Sequence, residues 1–179
     1  MRKVVLTFGL IAGAVISVYM VIQMSLWAKG VISFDAGYVV GYAGMVIALS
    51  MVFFGIKSYR DNYLNGAIKF LKGLQVGLLI SLVASLMYAA TWEVYYQTND
   101  EIRNTFMDKY TDHLISKMKN EGASQAEMDQ KTKEMTDMKE MYQNPLIRFV
   151  MTLAEIFPVG ILITLLSAAI LKRREVLRA

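Results

Sequence analysis

The sequence predicts an all-α integral membrane protein: four transmembrane helices in an up-down bundle, with an extracytoplasmic amphipathic helical hairpin between helices 3 and 4. Three observations lead there. Four stretches of 19 to 24 residues carry at most one charge each, and about 20 helical residues are enough to cross a hydrocarbon layer of roughly 30 Å. Basic residues gather at the ends of these stretches, and one long polar segment interrupts them. The hydrophobic fraction of 55% and the mean hydropathy of +0.39 are therefore averages over very apolar and very polar segments.

The first span, about residues 4–27, follows Met1-Arg2-Lys3 and could be mistaken for a secretory signal. Its 24 apolar residues exceed a signal core of roughly 7 to 15, and no A-x-A site closes it, so it is expected to stay as a membrane helix. Gln23, Ser25, Trp27 and Lys29 mark its far boundary. A short neutral loop, Lys29 to Asp35, leads to the second span, about 38–56, which has no charge at all. Residues 57–72 are expected to form a basic cytoplasmic loop: Lys57, Arg60, Lys69 and Lys72 against Asp61 give it a net charge of +3, and Asn65-Gly66 is a turn signal. The third span, about 73–92, is followed by Glu93, which is expected to sit solvated at the outer boundary.

Residues 97–145 carry ten acids against seven bases and form the one sizeable polar segment. Ile102, Phe106, Tyr110, Leu114 and Met118 recur every fourth residue, which sets them along one helix face. Gly122 ends that pattern. Ser124 to Glu127 is a capping-box signature that opens a second amphipathic helix running to Pro145. The last span, about 149–171, ends in Lys172-Arg173-Arg174, with Arg178 and Glu175 beyond. Four crossings bring Arg2-Lys3, the basic loop and the basic tail to one side, which the positive-inside rule makes the cytoplasm.

That sidedness also explains the net charge of +4 without nucleic acid, which is not an expected partner. The absence of cysteine excludes disulfides, thiolate metal sites and cysteine nucleophiles. No nucleophile with a base, no phosphate-cradling glycine loop and no paired catalytic carboxylates occur, so the chain is not read as an enzyme and no cofactor is expected.

Small residues recur every fourth position: Gly9, Gly13 and Ser17; Gly37 and Gly41; Gly73, Gly77, Ser81, Ser85 and Ala89; Gly160, Thr164 and Ala168. Such ridges let helix backbones approach closely in lipid, where apolar side chains give helices no reason to associate. The third span has the longest ridge and is expected to be the central packing helix.

Glu155 is the sharpest candidate for function, because an ionisable group within a span is costly and marks ion or proton pathways by default. It lies near the outer interface, about 24 Å of helix from Leu171. Arg148 is some 10 Å away along the axis, too far for a direct pair, and Pro158 is expected to kink the helix. Met135, Met138 and Met141 have the spacing of soft-metal thioether sites, with Met107, Met118 and Met128 in the same hairpin. Methionine at helical spacing is ordinary packing material, and the three spiral around the helix, so no metal site is expected. His113 is expected to be a solvated surface residue near Asp108 and Asp112. Lys57, Tyr59, Arg60 and Asp61 are candidates for contact with lipid headgroups or a partner.

Those last residues belong to a longer string, Phe53 to Tyr96. With Gly55, Ile56, Lys57, Tyr59, Arg60 and Asp61, then Gly66, Phe70 and Gly77, it resembles the bacterial domain-of-unknown-function 4199 family. The resemblance implies four transmembrane helices, a G-I-K-x-Y-R-D loop after the second, a charged insert before the fourth and a bacterial inner membrane. It implies no activity, cofactor or catalytic residue. The expected function is that of an accessory or interaction protein of the bilayer, working with a membrane-protein partner or as a homo-oligomer. The alternative is a small transporter or channel subunit using Glu155 and Glu93.

Overall fold

The computed structural model describes residues 1–173; Arg174, Glu175 and Arg178 of the basic tail lie outside them. Seven helices follow in order: α1 (Arg2–Ala28), α2 (Phe34–Leu49), α3 (Met51–Tyr63), α4 (Phe70–Thr98), α5 (Asp100–Asn120), α6 (Gln125–Tyr142) and α7 (Pro145–Leu171). Four rods among the described residues are long and apolar enough to cross a membrane: α1, α2 with α3, α4 and α7.

The second rod departs from expectation. Residues 57–72 are a loop only over 64–69, since α3 continues helical to Tyr63 and α4 opens at Phe70. The reason is periodicity: Val52, Ile56 and Tyr59 lie on one face and are buried, which outweighs the charges of Lys57, Arg60 and Asp61 on the other. The interruption falls earlier, at Ser50, whose hydroxyl donates to the carbonyl of Ile47 at 2.6 Å and competes with the backbone ladder. The expected turn does follow, with Asn65 and Gly66 both at positive φ and the Gly66 amide donating back to the Arg60 carbonyl.

α4 is the central helix, packed most extensively on α7 and α1. Its ridge meets that of α7 residue by residue. A Cβ on Gly73 would stand 3.3 Å from that of Ala168, one on Gly77 would stand 2.5 Å from the Thr164 methyl, and one on Gly160 would stand 2.8 Å from Ser81. Ser81 donates to the Gly160 carbonyl at 3.2 Å and lies 3.1 Å from the Thr164 hydroxyl, a buried hydrogen-bonded seam between two apolar helices. On the other face of α4, Gly9 and Gly13 of α1 sit against Val83 and Met87.

At the end holding both described termini, Val4, Val5, Val52, Ile56, Ile68 and Leu171 form one apolar cluster. The Ile68–Arg173 bridge ties the turn to the segment after α7. At the opposite end α5 and α6 cover the bundle. They separate at Gly122, where φ of +84° and an Ala123 amide donating to the Met118 carbonyl close α5. The Ser124/Glu127 capping box then opens α6. α7 begins at Pro145 with Asn144 as its cap, four residues before the expected span, and runs unbroken through Pro158.

Candidate functional site

The candidate site is built where the α2–α3 rod leaves the rest of the bundle. Near α1, the rod is held by polar groups. Gln23 donates to the Gly37 carbonyl at 2.7 Å, the Tyr19 hydroxyl donates to the Val40 carbonyl at 2.7 Å, and the Tyr19 ring fills the space a side chain on Gly44 would need. In its half nearer the cap helices α2 thereby leans on α1 and buries little against α7. A cavity of about 390 Å³ remains between α1, α2, α4 and α7, beneath the cap helices. That volume is in the range of small-molecule sites.

Tyr88 and Trp92 of α4 and Met151, Thr152 and Glu155 of α7 form its inner wall, and Phe106, Met107 and Tyr110 of α5 with Met138 and Tyr142 of α6 form its roof. Tyr38 of α2 donates to the Tyr110 hydroxyl at 2.7 Å and closes the seam between wall and roof. Among the described residues Glu155 is the one charged residue lining the cavity. Protein surrounds it, yet its surface is accessible, because it faces open space and not packed side chains. Among the described residues no basic side chain pairs with it.

Arg148 is engaged elsewhere, which corrects the expectation for Glu93. Its guanidinium grips the Glu93 carboxylate through two bonds, 2.7 Å from Nε and 2.5 Å from Nη2, and donates from Nη1 to the Tyr142 carbonyl at 2.8 Å. It also lies 4.1 Å from the Tyr96 ring centre. With side-chain exposures of 3% and 17%, the pair is sheltered, and Glu93 is not a solvated boundary residue. The physical reason is that α4 and α7 extend one to two turns past their apolar spans, which brings opposite charges to the same level. The Trp92 indole donating to the Tyr142 hydroxyl at 2.7 Å completes a knot joining α4, α6 and α7. Glu93 and Glu155 thus serve different places. One is locked in the knot; the other opens on the cavity.

The loop candidates have mainly structural surroundings. Tyr59 is buried and stacked on Tyr63, and Lys57 is exposed. Arg60 bonds Asp61 at 2.7 Å and donates to the Leu171 carbonyl at 3.4 Å, capping the C-terminal end of α7. His113 is not simply solvated: its Nε2 lies 3.3 Å from Asp35 of α2, and its ring stacks on Phe34 at 4.9 Å. Met135 is buried, Met138 lines the cavity and Met141 is exposed, so the three sulfurs face different surroundings.

Sequence reasoning missed the cavity lining, the Glu93–Arg148 pair and the seating of α5 on α2. The pair had a signal, since Glu93 directly follows span three and Arg148 directly precedes span four.

Four membrane-length helices zipped by small residues, with two cap helices roofing a cavity, define a small multi-span helical membrane protein. Within that class, the chain belongs to the domain-of-unknown-function 4199 family, whose model, described as Protein of unknown function (DUF4199), matches residues 7–173. No curated protein and no solved structure matches it.

Proposed function

We propose that this is a non-enzymatic accessory protein of the bacterial inner membrane whose working part is the cavity at Glu155. Both termini and residues 57–72 face the cytoplasm, and residues 97–145 face the periplasm; the basic clusters support that orientation. The observation that carries the reading is a carboxylate, unpaired among the described residues, in a walled space large enough for a small molecule. Among the described residues the lining includes no lysine, histidine or cysteine that would give a nucleophile or base partner, which supports binding over catalysis. In this role the protein works within the bilayer with a membrane-protein partner or a second copy.

The chain contains no cysteine, so single-cysteine variants give a clean test. Cysteine at Asn65 is expected to react only after cells are opened, and cysteine at Gln125 in cells with a permeabilised outer membrane. Cysteine at Met151, inside the cavity, is expected to react with a small thiol reagent, and a bulky residue at Gly41 to slow it. An unreactive Met151→Cys in protein whose Gln125→Cys reacts normally would refute the cavity as a working site.

A second reading, a small transporter subunit, is favoured by one specific feature: Glu155 faces accessible space near the outer end of its span. Glu155→Gln abolishing ion- or pH-driven flux in vesicles would establish it. Four spans are few for a transporter unless copies assemble.

A further inference from the structure

We infer that the cavity binds an organic cation with an apolar body, an ammonium or phosphonium group carrying hydrocarbon or aromatic substituents. This rests on the cavity being the protein's working site. Three independent features of the lining select that class. Among the described residues the sole charge in the lining is negative, and no lysine, arginine or histidine lines the wall, so the site repels an anion and only a cation offers the carboxylate an opposite charge. The same lining holds electron-rich rings, among them Tyr38, Tyr42, Tyr88 and Trp92; aromatic faces attract cations and build the cages that hold quaternary ammonium groups. Six of the chain's thirteen methionines complete the lining. Their flexible thioethers fit irregular apolar shapes, which points to a body recognised by bulk and not by a hydrogen-bond pattern. Arg148, the nearest basic residue on α7, cannot take the ligand's place, because Glu93 and the Tyr142 carbonyl hold it.

The geometry supplies its own reporter. The chain has two tryptophans, Trp27 and Trp92, and both line the cavity. Full-length protein in a non-ionic detergent should therefore show saturable change in tryptophan emission on titration with tetraphenylphosphonium. Tetraphenylborate, the same shape with the opposite charge, should give none. Glu155→Gln should weaken tetraphenylphosphonium by at least about tenfold, since it removes the negative charge that faces the ligand. Glu155→Asp, which keeps the charge, should retain most of the affinity; far-ultraviolet circular dichroism confirms that both variants keep their helix content.

Equal affinity in the native protein and Glu155→Gln, or no saturable response to tetraphenylphosphonium, would overturn the inference. Saturable binding of tetraphenylborate alone would overturn the cation class while leaving a ligand-binding cavity standing. Unreactive Met151→Cys would instead remove the cavity itself. The ammonium of phosphatidylethanolamine shares this chemistry with soluble amines. Repeating the titration in phosphatidylglycerol nanodiscs with and without phosphatidylethanolamine separates the two: competition by the lipid assigns a lipid headgroup, and its absence a soluble cation.

Discussion

Arg148 and Glu93 show how one residue pair changes meaning with its surroundings. At a wet surface such a pair contributes about 0–1 kcal/mol. Here the arginine is 3% exposed and bonded at three nitrogens, so removing one partner strands a charge. Arg148→Ala is expected to destabilise by about 3–5 kcal/mol, and Glu93→Gln by less, because the glutamate keeps some contact with solvent and with Gln97. Replacing both by methionine should recover most of the loss, since an apolar pair needs no charge compensation. Thermal unfolding of the detergent-solubilised protein measures all three. Glu155 is the contrasting case: its replacement by Gln is expected to leave stability near the native value, because no protein partner among the described residues depends on it.

Among the elements, the α4–α7 seam and the start of α6 make separate demands. Gly77 has no room for a methyl group, with the Thr164 methyl at 2.5 Å and Ile56 at 2.9 Å. Gly77→Ala is expected to cost about 1–3 kcal/mol through overpacking. Thr164→Ser in the same chain should recover part of this by removing the methyl while keeping the hydroxyl near Ser81, again read by thermal unfolding. At the start of α6 the Ser124 hydroxyl and amide both donate to Glu127, which holds that carboxylate below the ordinary glutamate range. A lowered value means that the capping contribution is fully present above the ordinary range and is lost as pH falls through the lowered one. Amide exchange of α6, compared between the native protein and Glu127→Gln, should therefore differ at neutral pH and converge on acidification.

For the whole molecule, the question is what keeps the cap on the bundle. α5 sits on α2 through the Tyr38–Tyr110 hydrogen bond, the His113–Asp35 contact and the stacking of His113 on Phe34, while Lys109 lies 5.2 Å from the Trp27 ring. Most of these contacts are part-exposed, so this side of the roof is held less firmly than the Arg148 knot on the other. His113→Ala is expected to raise amide exchange across residues 100–120 without unfolding the four spans. Exchange unchanged across that segment would show that the roof rests on its apolar contacts alone. The cavity is a property of this scale: no single helix carries it, and the lean of α2 toward α1 creates it.

The spans, the central place of α4 and the turn and cap positions were legible because each depends on residues near one another in sequence: apolar runs, glycines four apart, Asn65-Gly66, Ser124 to Glu127. The end of the second rod was misplaced because charge on one face of α3 concealed an apolar face buried at Val52, Ile56 and Tyr59. By itself, the sequence determined a four-span helical membrane protein with a polar insert, since the cost of unpaired backbone in lipid leaves an apolar stretch of that length little choice but helix. Only the tertiary structure decided that Arg148 holds Glu93, that Asp35 meets His113 and that Glu155 opens on a cavity of aromatic rings and thioethers. Those facts depend on how far apart helices stand and how they are rotated, quantities set by many contacts between residues distant in the chain and written in no local pattern.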